Sequence, residues 1–519
     1  MKEQISKGET LSVKTSKNAI WNIVGFLFSL GITFITLPLF ISLLGDNNYG
    51  LFVLFQTIIA GFSLMGLGVG PATIKYVAES IGRENYDEAN QVISTTLCFN
   101  ISIGILGAIV IVLMAVPMAE NVFKIPAESQ MIAQKCFYWV AVGWFVSQIT
   151  VTLRSIPMAF QNFKIGVIGT TLSSALNAAL GLSVLYAGGN LVNLMQANTV
   201  ALAMSVIGWW YLARIVFPKL NVKIRISWNI FKKTLFYGSW QTVAGLGGMI
   251  YHRMDRIILG IFLPPSAIGY YSVPVTVCSR AHVGLAQIGS VFFPLISYLQ
   301  GKNDKERIYR YFANGSWFIG LFSTIGYVPL ALFGKSFLSL WIGPEFAKKS
   351  GDLFVIIILS HMILSTSVIR YNFLAGIGKP SWLALGALIS GIIGILSMVV
   401  LIPKFGLMGA GWSYFASSIS GVVITILIKI KYFPERGWFK ILYAMYGPIF
   451  IGFMVILIAI NMIPVLRVYS WIKLFSYLSI AMLSTLIILV FMDLILFSPE
   501  KRFKFVWQLF KTSILSYIK

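Results

Sequence analysis

Charge is scarce in this chain, and negative charge is scarcer still. Only 11% of its 519 residues are Asp, Glu, Lys or Arg, with 17 acidic against 40 basic. A soluble globular domain carries about 25% charged residues, so an ordinary water-facing fold is excluded. Cysteine is rare too. Cys98, Cys136 and Cys278 fall in separate apolar runs and form no C-x-x-C pair. They promise neither a disulfide framework nor a thiolate metal site, and each reads as a small buried side chain. The three histidines, His252, His282 and His361, are scattered, without metal-ligand spacing. A phosphate-binding G-x-x-x-x-G-K-[ST] loop, H-E-x-x-H and G-x-S-x-G are all missing. No catalytic residue, metal site or bound cofactor is expected.

What the chain has is length in apolar runs. Hydrophobic residues make up 57% of it, and stretches of roughly 20 or more recur, each enough to cross a bilayer. A transmembrane β-barrel would show short alternating segments instead. The expected fold is an all-α polytopic membrane protein of about fourteen transmembrane helices: 19–44, 49–78, 91–116, 131–153, 165–187, 191–217, 234–262, 273–299, 309–333, 353–377, 381–402, 407–429, 441–463 and 472–497. The first run is too long for a signal-peptide core, and no A-x-A-like site follows it. The tail sets Phe503, Val506, Phe510 and Ile514 at helical spacing beside Lys501, Arg502, Lys504 and Lys511, a pattern suited to an amphipathic surface helix.

The formal net charge of +23 is spread over short loops. That distribution fits membrane topology and an anionic lipid surface, not nucleic acid. With the N-terminus inside, inner segments hold 29 Lys/Arg, outer segments hold eight, and Arg253, Arg256 and Arg280 lie within spans. The asymmetry predicts both termini on the cytoplasmic side.

A shift of about 215 residues lays Lys17 on Lys232, Gly45 on Gly260, Lys164 on Lys379 and Ala201 on Ala416. Each copy holds six spans, so both face the same way. Parallel repeats of this kind relate by an axis along the membrane normal, with a substrate site expected between them. The expected division is an N-lobe over 1–220, a C-lobe over 221–436, an appended helix pair over 437–498 and the tail over 499–519.

The chemistry concentrates in GMIYHRMDRIILGIFLPPSAIGYYSV, residues 248–273. Charged groups within a span are costly and usually face a partner charge, a bundle interior or a water-filled cavity. Arg253, Arg256, Arg280 and His282 fall at similar depth, with Asp255 among them. One reading is a cationic lining for a phosphate or diphosphate, which arginine grips through its planar fork. The other is a structural ion pair of Asp255 with Arg256 or Arg280. Both stand at this point. Arg154 and Arg370 occupy repeat-equivalent inner ends of spans 4 and 10, where they either snorkel to the interface or form an inner gate. Lys75 and Glu79 read as an i,i+4 pair. Asp493 reads as lying at the interface. The glycine-rich GFSLMGLGVGP of span 2 reads as close packing or as a hinge.

K-N-x-x-W at the start of span 1, P-L-F-x-x-L-L-G-x-x-x-Y-G at its end, and the later D-R-I-I-L-G-x-F-L…A-I-G-Y-Y-S together resemble the polysaccharide transport family. This is the group of Wzx-type O-antigen and capsule flippases within the MOP/MATE-like exporter superfamily. The resemblance implies two six-helix lobes working by alternating access. It also implies translocation of an undecaprenyl-diphosphate-linked oligosaccharide across the bacterial cytoplasmic (inner) membrane. The implied partners are that lipid-linked oligosaccharide diphosphate, anionic membrane lipids and other polysaccharide-assembly proteins, with no nucleic acid. With no nucleotide-binding domain in the chain, transport against a gradient would draw on H+ or Na+ coupling, the membrane potential or the substrate's own gradient. Two alternatives remain open: a MATE-like drug/cation antiporter, which would want carboxylates in its cavity, and a lipid II-type flippase, whose extra helices resemble spans 13 and 14. Span 1 lacks the Arg or Asp that the lipid II branch uses there. An integral-membrane glycosyltransferase or polymerase would need acidic or basic catalytic residues on large outer loops, and the outer loops here are short.

Overall fold

The computed structural model describes residues 11–460 apart from 124 and 224, together with 468 and 470–496. The side chains of 11–20, 22–23, 63–64, 240–241, 243–253, 294, 380, 460 and 494–496 lie outside that description. The amphipathic tail at 499–519 and the first ten residues also lie outside the described residues.

Fifteen α-helices carry the described chain: α1 (Leu11–Phe62), α2 (Val69–Gly82), α3 (Tyr86–Pro117), α4 (Ala127–Ala159), α5 (Phe163–Tyr186), α6 (Leu191–Val216), α7 (Trp228–Phe262), α8 (Pro265–Gly289), α9 (Phe292–Gly301), α10 (Lys305–Trp341), α11 (Pro344–Ser365), α12 (Ser367–Gly376), α13 (Pro380–Tyr432), α14 (Trp438–Ile460) and α15 (Trp471–Leu496). No strand occurs among the described residues. Two helices are far too long for one crossing. The 53 residues of α13 would run about 80 Å as a single rod, against a hydrocarbon core of ~30 Å. The break comes at Gly406, whose φ of 56° and ψ of −132° leave the helical region. The chain folds back on itself there: a Cβ on Gly409 would meet the Leu401 carbonyl oxygen at 2.2 Å. Gly45, at φ 74° and ψ 164°, divides the 52-residue α1 in the same way. Glycine alone adopts such angles without a Cβ clash.

Ten stretches of the described residues are long and apolar enough to span a membrane. Dividing α1 and α13 at their glycines makes twelve. The more polar α7 and α8 complete fourteen, at the positions the hydropathy pattern predicts. This is an all-α polytopic membrane protein.

The repeat is written in the backbone as well. Left-handed residues recur in pairs: Glu84 with Asn303, Gln161 with Gly378, and Gly188 with Gly406. These pairs lie 219, 217 and 218 residues apart, close to the shift found in the sequence. Helix starts recur with them. Asn85 accepts from the Glu88 amide to cap α3, and Asp304 accepts from the Arg307 amide to cap α10. Each satisfies a donor that the helix's own ladder leaves open.

The chain divides into two compact units: Met1–Met249 with Pro264–Ile268, and Ile250–Leu263 with Gly269–Lys519. In the first, α3, α4 and α6 pack around Val77, Ile93, Ile156, Trp209 and Phe217. The connection after α6 is strapped along α3. Asn90 Nδ2 donates to the Lys219 carbonyl at 3.0 Å, while the Lys223 and Ser227 amides donate to the hydroxyls of Ser94 and Thr95. The 3-10 turn Ser63–Gly66, followed by left-handed Leu67 and Gly68, interrupts the glycine-rich stretch of span 2. In the second unit α10 is the hub, flanked by α11, α14 and α15, with Phe312, Ile369, Phe373, Ile428 and Met445 in its core.

Two local readings change, and the reading of the cysteines stands. Glu79 pairs with Arg83 instead of Lys75, and the Lys75 ammonium sits 4.2 Å from the centroid of Tyr237. A carboxylate preceding its cation by four residues is the better-oriented pair on a helix, and the aromatic face supplies Lys75 with another site. Asp493 is fully buried and accepts from the Tyr443 hydroxyl at 3.4 Å, because α15 turns this face toward α10 and α14 and not toward the interface. All three cysteines are free; Cys136 and Cys278 are buried and Cys98 is partly so.

Candidate functional site

Asp255 and Arg256 stand on α7 just before its end at Phe262. The Arg256 amide donates to Asp255 Oδ1 at 2.8 Å, and its guanidinium Nη1 reaches the same oxygen at 3.3 Å. Arg256 Nε also donates to the Ser272 hydroxyl on α8 at 3.2 Å. The arginine thus ties its own helix to the next while holding the carboxylate beside it. Among the described residues Arg256 is the ion-pair partner of Asp255. Arg280 and His282 lie on α8, both half-buried. Arg253 and His252 are on α7, but their side chains lie outside the described residues.

The second carboxylate oxygen, Asp255 Oδ2, is buried and has no hydrogen-bond partner. Asp255 itself is only 3% exposed. An unmatched buried carboxylate oxygen costs free energy, so what faces it matters. Asp255 borders a cavity of about 20 Å³ that Ser390, Ser413, Tyr414 and Ser417 of α13 also line. That is room for about one water or one small ion. Ser413 donates its hydroxyl to the Gly409 carbonyl and Ser417 to the Ser390 carbonyl, each at 2.7 Å. Their oxygens therefore keep lone pairs to offer inward.

Tyr414 connects this cavity to an imidazole. Its ring stacks on His361 at 5.2 Å between centroids, and its hydroxyl lies 3.4 Å from Nε2. His361 Nδ1 is 2.9 Å from the Ile357 carbonyl. A carbonyl only accepts, so Nδ1 carries the proton and Nε2 faces the phenol as acceptor. His282 stands edge-on to His361 at 6.3 Å. Asp255, Tyr414, His361 and His282 thus form a run of proton-active groups on four helices of the second unit. The sequence hid this run. Its one signal is Ser413 and Ser417 at i,i+4 beside Tyr414, opposite the small-residue face of Ser390, Gly391 and Gly394.

The two arginines at repeat-equivalent positions have different fates. Arg154 is exposed on α4. Arg370 on α12 is 6% exposed, so it does not snorkel. Its Nη1 donates to the Gly421 carbonyl, to Thr425 Oγ1 at 2.8 Å and to the Tyr446 hydroxyl at 3.1 Å. The guanidinium pins α12 to α13 and α14 within the second unit.

Oxygen donors of this kind suit a proton or a hard monovalent cation. No cluster of three or more His, Cys, Asp or Glu able to hold a metal occurs among the described residues.

Comparison with known proteins gives the family and the fold. Residues 15–300 match the family described as polysaccharide biosynthesis protein. A putative O-antigen transporter of Shigella flexneri is 21% identical, over 80% of this chain and 97% of its own. A probable low-salt glycan biosynthesis flippase of Haloferax volcanii is 23% identical, over 84% and 89%. Among solved structures, a multidrug resistance MATE family transporter of the MOP superfamily in its inward-facing conformation superposes with a TM-score of 0.69 at 14% identity, covering 78% of this chain and 98% of its own. The lipid II flippase MurJ in its inward closed conformation gives 0.68 at 14%, covering 92% and 99%. These last two likenesses show the fold.

Proposed function

From the premise that the chain belongs to the polysaccharide biosynthesis protein family, we propose that it is a flippase for an undecaprenyl-diphosphate-linked oligosaccharide. The cargo is the repeat unit of an O-antigen, capsule or other exopolysaccharide. It passes from the inner to the outer leaflet of the bacterial cytoplasmic membrane, with both termini of the protein inside. The protein is a transporter and not an enzyme. The names of its relatives, an O-antigen transporter and a glycan biosynthesis flippase, support the class.

The observation that carries the reading is the charge balance of α7 and α8. Arg253, Arg256 and Arg280 share those two helices with a single acid, Asp255, and Asp255 is already engaged by Arg256. The excess is cationic, suited to a diphosphate. A cationic drug would want the reverse, which weighs against the antiporter reading. Two six-span lobes, 1–220 and 221–436, would present the cargo alternately to each leaflet, with Arg154 and Arg370 near the inner mouth.

Coupling to H+ or Na+ would act at Asp255. Its unmatched oxygen, the one-molecule cavity and the serine lone pairs fit either ion. Asp255 would hold the ion, Ser413 and Ser417 would complete its oxygen shell, and Tyr414 with His361 would hold or pass a proton.

Expression in a flippase-null strain tests the activity. Surface glycan should return, and accumulated lipid-linked oligosaccharide should clear. Arg253→Ala and Arg280→Ala should each abolish this at normal protein levels; wild-type glycan in both variants would sink the cationic-site reading. In proteoliposomes, Asp255→Asn should remove the response of transport to an imposed proton or sodium gradient. A response equal to wild type would remove Asp255 from coupling.

A further inference from the structure

At the start of α10 and α14 lies a cavity of about 180 Å³, lined by Glu306, Tyr309, Arg310, Asn314, Lys440 and Ala444. It is well beyond the ~10–15 Å³ that one water requires. Its wall is built. Glu306 pairs with Arg436, and the Arg436 guanidinium in turn covers the Tyr309 ring at 4.5 Å. Tyr309 packs edge-on to Phe433 at 5.2 Å. The one acid of the cavity is therefore paired with a cation that is not among the lining residues. The remaining polar groups are uncommitted: Arg310, Asn314 and Lys440 make no hydrogen bond or ion pair with any described residue.

Spacing arranges these groups in two levels. Arg310 and Asn314 are one turn apart on α10, as are Lys440 and Ala444 on α14. Residues four apart share a helix face. The outer level thus presents a guanidinium and an ammonium, and the inner level an amide over a methyl floor. Both helices begin here, so their N-terminal partial positive charges add to the two cations. The level in the bilayer is set by Trp438 and Phe439 at the start of α14, which are 44% and 65% exposed. Trp is enriched at the membrane–water interface, which puts this end of α14 at headgroup level.

We infer that Glu306, Tyr309, Arg310, Asn314 and Lys440 form a headgroup site for an anionic phospholipid of the leaflet that the Lys/Arg-rich loops face. Arg310 and Lys440 grip the phosphodiester, and Asn314 donates to its ester or glycerol oxygens. The acyl chains run down the apolar exterior of α14, where Leu442, Phe450, Met454 and Leu457 are exposed, a surface that a soluble phosphate could not use. The site belongs to the second unit alone and does not depend on the identity of the transported cargo.

The test uses the full chain, purified in a neutral maltoside detergent and titrated with dioctanoyl phosphatidylglycerol or dioctanoyl phosphatidylcholine, while the melting temperature is followed. Phosphatidylglycerol should raise it by about 2–4 °C at saturation, and phosphatidylcholine should not. Arg310→Gln combined with Lys440→Gln should melt like wild type without lipid and bind phosphatidylglycerol on the order of thirty-fold more weakly. Ala313 also lines the cavity; Ala313→Leu keeps every charge and fills that space, and it should lose the shift as well. Equal responses to the two lipids, or an undiminished response in the double variant, would overturn the site. Inorganic phosphate or farnesyl diphosphate reproducing the shift where phosphatidylglycerol fails would overturn its assignment to a membrane phospholipid.

Discussion

In the N-terminal unit every buried polar side chain among the described residues is neutral: hydroxyls such as Thr73 and Thr152, and amides such as Asn100, Gln148 and Asn198. In the C-terminal unit the buried set includes Asp255, His361, Arg370, Lys429 and Asp493. The two units share three pairs of positive-φ turn residues, yet among the described residues only one buries Asp, His, Lys or Arg side chains. Backbone symmetry therefore sets where helices turn, and side-chain chemistry sets what each unit can do. The buried polar side chains described in one unit are all neutral. The other stores charge in a low-dielectric interior, where each group needs a specific partner. Arg154 and Arg370, 216 residues apart, are the clearest case: one meets solvent or headgroups, the other three oxygens inside its own unit.

Five substitutions can break or sharpen this contrast. Arg370→Met strips a buried guanidinium and leaves the Gly421 carbonyl without that donor. It should cost about 3 kcal/mol of stability in denaturant-melting experiments in detergent. Arg154→Met should stay within about 0.5 kcal/mol, and similar losses at both sites would erase the distinction. A milder probe is Gly421→Ala, whose new Cβ would sit 2.6 Å from Arg370 Nη2. The guanidinium must shift, at about 1–3 kcal/mol. Gly208 in the N-terminal unit has nothing within 4 Å of such a Cβ, so Gly208→Ala should instead gain up to about 1 kcal/mol of helix propensity. A neutral Gly421→Ala would show that Arg370 has room to move. A gain is expected at Asn198, where both amide atoms are buried without partners. Asn198→Leu removes that desolvation and should raise stability by about 1 kcal/mol. A loss on the same melting curve would mean that the amide is bridged, and that the N-terminal interior is less passive than its composition suggests.

Much of this architecture is legible in the sequence, because a bilayer leaves few solutions. Run length fixes the spans, loop charge suggests their direction, and the shift near 215 residues anticipates the paired turns. The reversals at Gly45 and Gly406 fall between consecutive predicted spans. The site is harder to read. A helical projection puts Asp255, Arg256 and their neighbours on one arc, but cannot say which cation the carboxylate takes. Glu79 shows the difficulty in miniature: it has a cation four residues away on either side, and the choice turned on helix direction and on an aromatic ring from α7. The burial of Arg370 and Asp493 depends on which face α12 and α15 turn to their neighbours, and the apolar residues around each are too uniform to mark one. The serine-lined cavity was invisible because hydroxyls in apolar helices usually only back-bond to their own carbonyls.

The hairpin within α13 has a practical side. The equivalent turn in the N-terminal unit, between α5 and α6, spends four residues, Ala187–Asn190. Its counterpart reverses at Gly406 with no intervening loop, and Gly409 lies against the Leu401 backbone. Sequence inserted at such a point has nowhere to go without prying two spans apart, whereas exposed turn residues accept insertions readily. An epitope or fluorescent reporter placed after Gly188 should leave the fold intact, while the same cassette after Gly406 should block membrane integration. The two repeats, alike in outline, offer the experimenter one handle and not two.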